Sequence, residues 1–561
     1  MGTPSPKRMI AYTRSTGATA TSVMGSHRRC PQPIWMTTMN AIPAGRKPNS
    51  DMAGISSAHG SRKQARCRHR TAVCPSPPDF SAFRHERAAR PSPSRDNASM
   101  NPAAMSGSRE AGTPYPGYSG VWAGMIQTRR QALAAATDII EQVRERGDAA
   151  LREFTERFDG VAVESFRVPQ SAIDEARSQV DPATAAALEQ AAAQIREFHE
   201  RQLQQSWFAV REDGALTGAK VSPLESVGIY VPGGRALYPS TVLMNALPAS
   251  VAGVERIACV TPPAKDGSVD PAILEACRLS GVTEVYTVGG AQAIAALAYG
   301  TESIEPVSKI TGPGNAYVAA AKKIVSGDVG IDMIAGPSEV CVVADDTADP
   351  ALVAIDLMAQ AEHDPLAACY LVTFSEGYAD EVERMVDEHM KSSTRAEITA
   401  ASLADQGLIV VCDTLDQAMG AVNIIAPEHL ELHFDGAFEQ LGAIRNAGAI
   451  FVGEWTPEAV GDYAAGPNHT LPTGGTARYA SPLSVDDFIK KSSVIQYTPA
   501  ALGRDADIVM AIARHEGLWA HARSVEMRKE ILERGGRFAT GAGEILDVAG
   551  EAVSEGVDAD E

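Results

Sequence analysis

The stretch EVYTVGGAQAIAALAYG, residues 284–300, decides the fold class because it contains a strand, a glycine turn and a helix in direct succession. Its first residues are β-branched or aromatic, which favours a buried strand. Gly289 and Gly290 mark a turn, and the alanine-rich remainder favours a helix. One such unit is the building block of a sheet covered by helices.

The same order of strand, turn and helix recurs on both sides of this stretch. Short apolar runs that end near glycine, proline or polar residues are VGIYVPGG, RIACVTPP, KITGPGNAYVAAAKKIV, CYLVTFS, LIVVCD and AIFVGE. Amphipathic helical patterns precede them from about residue 126, with Asp181 and Pro182 as an N-cap and first-turn pair. The repetition predicts an α/β protein.

The first part of the chain has a different composition. Residues 1–125 contain 17 Lys and Arg against 5 Asp and Glu, a net charge of +12, whereas the rest of the chain carries −32. This part is rich in Pro, Ser and Arg and has no apolar periodicity, so we expect residues 1–122 to be a disordered leader. A transit peptide, a nucleic-acid-binding segment and a dispensable extension from an unused upstream start codon are the alternatives. No nucleic-acid-binding motif is present, so we expect no nucleic-acid partner.

The body of the chain is strongly acidic without an obvious chemical reason. Its charge of −32 is typical either of a surface adapted to high salt or of an ordinary acidic cytosolic enzyme. No uninterrupted apolar run approaches the roughly 18 residues that span a bilayer, and residue 1 is not followed by a secretory signal. We therefore expect a cytoplasmic protein without a membrane partner.

The eight cysteines indicate a reducing compartment rather than a disulfide framework. Three lie in the leader, where CRHRTAVC lacks the paired spacing of a zinc site. The five in the body lie in strand-like or helix-like apolar runs. We expect these five to be buried free thiols.

A glycine turn at residues 312–315 raises the question of a phosphate-binding loop. The string ITGPGNAYVAAAKK places Gly312 and Gly314 between a strand and a helix, where backbone amides favour pyrophosphate. Tyr317 stands where the dinucleotide fingerprint requires a small residue. Phosphate binding and simple tight-turn formation are both open interpretations.

Polar side chains end an otherwise apolar helical stretch in DPALVAIDLMAQAEH. Gln360 and His363 are three residues apart and share one helix face, so an amide oxygen and an imidazole can converge on one point. Further candidate residues follow in IIAPEHLELH, in TPEAVGDYAAGPNHTLPTGG and in ARHEGLWAHARS. Gln360, His363, Asp462 and His521 supply ligand types that zinc accepts, although a lone histidine is more often structural.

Together these strings resemble the histidinol dehydrogenase family. The resemblance covers residues 126 to 534 and rests on strings in the family's order: VGIYVPGG, GGAQAIAALAYGT, KITGPGNAYV, GIDMIAGPSEV, QAEHDP, APEHLEL, GDYAAGPNHTLPTGG and LSVDDFIKKSSV. It implies NAD-dependent oxidation of L-histidinol through L-histidinaldehyde to L-histidine. It also implies one Zn²⁺ per subunit and NAD⁺ as cofactors.

The resemblance assigns roles to individual residues. The zinc ligands are Gln360, His363, Asp462 and His521, and Glu428 and His429 are the catalytic pair that handles protons. The substrate-binding positions are Ser338, Gln360, His363, His429, Asp462, His469, Glu516 and His521. The NAD-contacting positions are Tyr230, Gln292 and Asn315. One geometric condition applies: Glu516 and His521 are five residues apart, about 140° on a helix, so they cannot share a face unless Gly517 breaks it.

The resemblance also implies an architecture of two Rossmann-like α/β domains with helical N-terminal and C-terminal elements. We expect a first α/β domain from 123–227 and 339–488, a second, NAD-side domain from 228–338, and a C-terminal helical dimerisation segment at 489–561. The implied homodimer shares its active sites, with Glu516 and His521 completing the partner's site.

Two other functions have distinct expectations for the sequence. A related enzyme that oxidises a different small alcohol is expected to lose the positions that anchor the imidazole, and a non-catalytic binding protein is expected to be substituted at Glu428 or His429. The sequence retains all of these residues.

Overall fold

The computed structural model describes residues 119–233 and 237–535, together with two short strands at 538–539 and 545–546. The predicted leader, residues 1–122, lies outside this range except for its last four residues, which begin the first helix. Within the described residues no helix is both long and apolar enough to cross a membrane.

Four helices form the N-terminal part of the described chain. They are α1 (Ser119–Arg146), α2 (Asp148–Asp159), α3 (Gln170–Gln179) and α4 (Pro182–Glu200). The predicted N-cap of α4 is confirmed, because the Asp181 side chain accepts hydrogen bonds from the backbone N–H groups of Ala183 and Thr184.

The first parallel sheet confirms the strand, turn and helix pattern of residues 284–300. Its strands lie in the order β5-β4-β3-β6-β7. They are β3 (Ser226–Tyr230), β4 (Arg256–Thr261), β5 (Glu284–Thr287), β6 (Lys309–Thr311) and β7 (Gly330–Ile331). The connecting helices are α5 (Pro239–Ala252), α6 (Pro271–Ser280), α7 (Gly290–Tyr299) and α8 (Ala316–Val325).

The second parallel sheet repeats the strand order of the first, as β10-β9-β8-β11-β12. Its strands are β8 (Glu339–Ala344), β9 (Ala368–Thr373), β10 (Gly407–Val411), β11 (His429–His433) and β12 (Ala449–Val452). Its helices are α9 (Pro350–Ala361), α10 (Glu376–Met390), α11 (Ala396–Gln406), α12 (Leu415–Ile425) and α13 (Glu458–Tyr463). The two Rossmann-like α/β units predicted from the sequence are thus both present.

A small antiparallel sheet and a helix pair complete the fold. The sheet joins β1 (Trp207–Val210), β2 (Leu216–Pro223) and β13 (Ile489–Gln496) in the order β1-β2-β13. The C-terminal helices are α14 (Pro499–His515) and α15 (Trp519–Glu533), followed by the paired strands β14 (Phe538–Ala539) and β15 (Ile545–Leu546). The C-terminal segment predicted to be helical therefore begins with a strand.

Apolar side chains fill both faces of each parallel sheet. Helices α1, α2, α7 and α8 cover one face of the first sheet, where Phe154 and Tyr286 are buried, and α3 to α6 cover the other. Burial on both faces explains why β3 and β4 read as continuous apolar runs rather than alternating ones.

The predicted domain division stays a prediction, and the packing adds one observation to it. The sequence grouped residues 123–227 with the second sheet, but helices α1, α3 and α4 contact the helices of the first sheet. The five cysteines described by the structure are buried and free, as predicted: Cys259, Cys277, Cys341, Cys369 and Cys412.

Candidate active site

The predicted site residues gather where two sheet edges meet. From the first sheet come residues that follow the carboxyl ends of β3 and β6. From the second come residues at the amino ends of β8 and β11. A cavity of about 550 Å³ has Gly233 and Asn315 in one part of its wall and His363 and Arg395 in another. The arrangement brings the predicted NAD side and the predicted metal side to one cavity.

His429 is the first residue of β11 and is 4% exposed. Its ring Nδ1 lies 3.1 Å from the main-chain oxygen of Glu339, which begins the neighbouring parallel strand β8. A carbonyl oxygen can only accept a hydrogen bond, so Nδ1 carries the proton and Nε2 of the neutral ring keeps its lone pair. Nε2 has no hydrogen-bond partner among the described residues and lies 3.9 Å from Asp462 Oδ1.

Burial keeps this imidazole neutral. Desolvation lowers the pKa of His429 to about 3, more than the hydrogen bond to Glu339 raises it. A neutral ring with a free Nε2 can accept a proton.

Glu428 precedes His429 and is 5% exposed. Its Oε2 accepts a hydrogen bond of 2.9 Å from the backbone N–H of Glu339 and lies 3.9 Å from His429 Nδ1. Burial raises the pKa of the Glu428 carboxyl well above its usual value. Both members of the predicted catalytic pair are therefore anchored to the first residue of β8.

A residue in the left-handed conformation lies just before the catalytic pair in the chain. Ala426 ends α12 with φ of 53°, the only non-glycine residue with positive φ among the described residues. Alanine pays a steric cost in this region, and such residues concentrate at functional sites. The turn directs Glu428 and His429 onto the strand immediately after Pro427.

Gln360, in the last turn of α9, is 1% exposed. An amide nitrogen can only donate hydrogen bonds, which decides the orientation of the Gln360 side chain. In that orientation its nitrogen donates to both carboxylate oxygens of Glu458, at 2.8 Å to Oε2. The amide oxygen then accepts from the backbone N–H of Glu339 at 3.2 Å. Gln360 thus links α9 to α13 and to the first residue of β8, whose main-chain oxygen accepts the hydrogen bond from His429.

His363, Glu458 and Asp462 form a cluster of possible metal ligands, with one donor atom from each within 4.8 Å of the others. His363 and Asp462 were predicted as ligands, whereas Glu458 was not. The spacing of Glu458 and Asp462, four residues apart in TPEAVGDY, places them on one helix face and is the signal that could have identified Glu458. Burial raises the pKa of Asp462 to about 7. Burial is also the largest cause of the raised pKa of Glu458, which lies well above its usual value.

His469 lies beside this cluster, and Ser338 lies beside Glu339 in the chain. His469 Nδ1 donates to the main-chain oxygen of Asp462 at 3.2 Å, and burial lowers the pKa of His469 to about 4. Ser338 precedes Glu339, and its main-chain oxygen accepts a hydrogen bond from Ala368 N–H. These two predicted substrate-binding residues therefore adjoin residues that hold the catalytic pair and the cluster.

Glu516 and His521 are separate from the other predicted residues. Both are exposed, and no contact recorded for residues 119–233 and 237–535 joins either to His363, Asp462 or His429. Gly517, with φ of +76°, breaks the helix between them: Glu516 caps α14 and His521 lies in the first turn of α15. The geometric condition stated from the sequence is met.

The three predicted NAD-contacting residues have different surroundings. The Tyr230 hydroxyl accepts a hydrogen bond of 3.1 Å from Gly290 N–H, so it holds the turn before α7. Gln292 is 1% exposed, and its Oε1 has no hydrogen-bond partner in the described part of the chain. Asn315 caps α8 by accepting from the backbone N–H groups of two residues in its first turn, and it also lines the cavity.

The glycine turn after β6 is explained by packing. A Cβ at Gly312, whose φ is +110°, would lie 2.2 Å from the main-chain oxygen of Tyr230, and one at Gly314 would lie 2.4 Å from a Val318 methyl group. Lys322 Nζ donates to Gly312 O at 2.9 Å and pairs with the buried Asp332, whose carboxylate accepts from Gly312 N–H. The tight-turn interpretation therefore accounts for both glycines.

Comparisons with known proteins agree on one family. A family model described as histidinol dehydrogenase matches residues 125–529. The chain is 53% identical over 396 residues to a histidinol dehydrogenase of Bacillus subtilis (strain 168), a match covering 71% of this chain and 93% of that protein. It is 54% identical to that of Geobacillus kaustophilus (strain HTA426), with the same coverage. A crystal structure of histidinol dehydrogenase from Elizabethkingia anophelis superposes with a TM-score of 0.69 at 37% identity, covering 71% of this chain and 92% of that one.

Proposed function

The chain belongs to the histidinol dehydrogenase family, and from this premise we propose a role for each site residue in the NAD-dependent oxidation of L-histidinol to L-histidine. That reaction removes four electrons in two steps, through L-histidinaldehyde. Each step needs a base for an oxygen-bound proton and a cofactor that accepts hydride.

His429 is the base for both steps. The observation that carries this assignment is its hydrogen bond to Glu339 O, which fixes the tautomer with a free lone pair on Nε2. Nε2 takes the hydroxyl proton of L-histidinol in the first step and that of the aldehyde hydrate in the second. A buried neutral imidazole does this without first losing a proton to solvent.

Glu428 positions the water that adds to the aldehyde. Its carboxyl group is fixed by the N–H of Glu339 and lies beside His429, so it can hold a water molecule against the aldehyde carbon. The role is specific to the second step, because the alcohol needs no water.

The donor set of the site fits a zinc ion. His363 and Asp462 converge with Glu458, and imidazole and carboxylate are common zinc ligands. We assign Gln360, His363, Asp462 and His521 as the residues that hold the ion, with Glu458 orienting the Gln360 amide. When bound, the redox-inert ion supplies a positive charge that anchors the nitrogen ligands of the substrate and fixes its reacting carbon.

The remaining substrate contacts come from Ser338, His469 and Glu516. Ser338 and His469 adjoin the residues that hold His429 and Asp462. Glu516, as a carboxylate, suits a cationic amine or an imidazole N–H.

NAD binds on the side of the first sheet. Tyr230 is the last residue of β3, Gln292 and Asn315 follow β5 and β6 on the carboxyl edge of that sheet, and Asn315 lines the cavity that also reaches His363. Ligands of open α/β sheets bind at this edge, where the strand order reverses. NAD, when bound, accepts the hydride from the carbon that carries the substrate oxygen.

The enzyme acts as a homodimer with shared active sites. The C-terminal helices expose large apolar side chains, with Ile508 60%, Ile512 56% and Trp519 77% exposed in the single chain. Large apolar side chains exposed on one helix pair are typical of a subunit interface. His521 and Glu516, exposed on the same helix pair, then complete the site of the partner subunit.

We further propose that the enzyme works in the cytoplasm on a small-molecule substrate, without nucleic-acid or membrane partners. The five free buried cysteines among the described residues suit a reducing compartment.

The purified protein tests the proposal directly. Two NADH should form per L-histidinol consumed, and removal of metal with a chelator should abolish turnover until zinc is restored. NADH formation that a chelator leaves unchanged would contradict the metal assignment, and formation of only one NADH would contradict the two-step assignment.

A further inference from the structure

A second buried cluster of ligand-type side chains lies near the site but outside it. It consists of Asp356 on α9 and Glu431 and His433 on β11, which are 7%, 0% and 1% exposed. Side chains alternate along a strand, so Glu431 and His433 point to the same face as His429, toward α9. No step of the proposed reaction uses them.

The three side chains converge on one point. His433 Nε2 lies 3.4 Å from Glu431 Oε2 and 4.0 Å from Asp356 Oδ2. One donor atom from each residue lies within 4.8 Å of the others. Two ligands of a tetrahedral zinc ion, each about 2.0–2.2 Å from the metal, are separated by about 3.4 Å. The observed spacing is therefore close to that of a coordination shell.

Donor atoms on two of the three residues, Glu431 and His433, also have free lone pairs. Neither His433 ring nitrogen nor Glu431 Oε2 has a hydrogen-bond partner within residues 119–233 and 237–535. The other Glu431 oxygen accepts a hydrogen bond of 2.8 Å from Glu458 N–H, which fixes the carboxylate in place. Buried polar atoms without partners are costly, so a histidine buried in this way points to a ligand.

We propose that Asp356, Glu431 and His433 bind a second divalent transition-metal ion, of which zinc is the best match, separate from the zinc ion of the active site. Two carboxylates and a neutral imidazole carry a charge of −2, which a divalent cation cancels, so the buried group becomes neutral on binding. Imidazole with carboxylate oxygens favours zinc or a similar ion over magnesium or calcium, which prefer oxygen ligands alone.

The position of the cluster in the fold supports a ligand site. β8 and β11 are neighbours at the point where the strand order of the second sheet reverses, and His433 is the last residue of β11. This carboxyl edge is where open α/β sheets place ligands. A cavity of about 180 Å³ reaches His433 there, and its wall includes two further acidic residues, Asp435 and Glu454. The cavity therefore reaches one member of the cluster and has acidic side chains in its wall.

The bound ion would connect the elements that carry the active site. Asp356 and Gln360 are one turn apart on α9, about 6 Å along the axis, and Glu431 is two residues from His429, about 7 Å along β11. A metal that joins Asp356 to β11 thus fixes the helix against the strand beside Gln360 and His429. Its role is structural and requires no redox change.

A shared proton is the competing explanation of the same geometry. Burial raises the pKa of Glu431 to about 8 and that of Asp356 to about 6, so one proton held between the carboxyl groups could also stabilise them. Metal binding displaces this proton, and the two explanations differ in the number of metal ions bound.

Metal counting on the full-length protein separates the two explanations. The apoprotein is equilibrated with micromolar free Zn²⁺ or Co²⁺, and bound metal is measured by mass spectrometry. We expect one equivalent per chain more than the active site takes up, and we expect His433→Gln and Asp356→Asn each to bind one equivalent fewer than the wild type. His389→Gln, which removes a histidine from α10, should leave the count unchanged.

The outcome is independent of the active-site assignment. His363→Asn should remove the active-site equivalent and leave the second one, so the two sites are lost through different variants. The proposal would be overturned if His433→Gln and Asp356→Asn bound as much metal as the wild type. It would also be overturned if His363→Asn bound no metal at all. If His433→Gln or Asp356→Asn fails to fold, the count in the other of these two variants decides.

Discussion

The Nδ1 atom of His429 lies 3.1 Å from the main-chain oxygen of Glu339, and this contact joins the first residues of two neighbouring parallel strands. Both residues lie on strands of the second sheet, and the hydrogen bond between them fixes the orientation of the imidazole. The free Nε2 is directed toward Asp462, where substrate binding is proposed. A base on rigid elements is preorganised for proton transfer.

Replacement of His429 by glutamine should lower kcat by about 100-fold or more with little change in NAD affinity. Glutamine has a similar volume but cannot take up a proton, so only the proton-transfer contribution is lost. Steady-state NADH formation gives kcat, and cofactor titration gives the affinity. His389→Gln on α10 is the control and should keep wild-type activity. An unchanged kcat in His429→Gln would remove His429 as the base.

Replacement of Glu428 by glutamine should slow the oxidation of L-histidinaldehyde more than that of L-histidinol. The water that forms the hydrate enters only in the second step, and glutamine loses the carboxylate that holds it. Supplying each substrate separately and measuring the first turnover compares the two halves. Equal slowing of both halves would show that Glu428 does not act on the water.

The sequence predicts the fold well because its local signals agree. Alanine-rich helices follow apolar strands and glycine turns, and polar N-caps such as Asp181 and Thr498 mark helix starts. The repeated strand order of the two sheets is not visible locally, since it depends on which strands become neighbours.

The sequence predicts site residues only where they lie in a recognisable motif. Glu339 and Glu458 were missed because their roles arise from contacts between separate segments: Glu339 acts through its main chain, and Glu458 through the Gln360 amide. The packing of α1, α3 and α4 against the helices of the first sheet is likewise not visible in the sequence, since an amphipathic helix pattern indicates a buried face but not its partner.

Replacement of Lys322 by methionine should destabilise the first parallel sheet. Lys322 is 2% exposed and pairs with the buried Asp332, and both contact the Gly312 turn. Loss of one partner leaves an uncompensated buried charge, which costs about 3–5 kcal/mol. Urea unfolding of Lys322→Met measures the loss. The neighbouring Lys323 is exposed, and Lys323→Met should change the free energy of unfolding by no more than about 0.5 kcal/mol; equal effects of the two would contradict the argument.

Replacement of His363 or Asp462 by asparagine should lower metal content and turnover together. Both residues contribute donor atoms to the cluster with Glu458, and removing a ligand weakens metal binding more than it disturbs packing. Metal analysis of the folded variants, with their unfolding midpoints, distinguishes a ligand from a structural residue. Glu362→Gln, adjacent to His363, is the matched control and should retain its metal. A variant that loses stability but keeps its metal stoichiometry would exclude that residue as a ligand.

Mixing two inactive variants should restore activity if the active sites are shared between subunits. In a heterodimer of His429→Gln and His521→Asn, one site carries both lesions and the other is intact, because each site takes His429 from one chain and His521 from the other. Random exchange makes half of the dimers heterodimers, so activity should rise to about a quarter of the wild-type value. NADH formation before and after subunit exchange measures the recovery, and either variant incubated alone is the control. If His521 served its own chain, every site in the mixture would keep one lesion, and the mixture would stay inactive however long exchange proceeded.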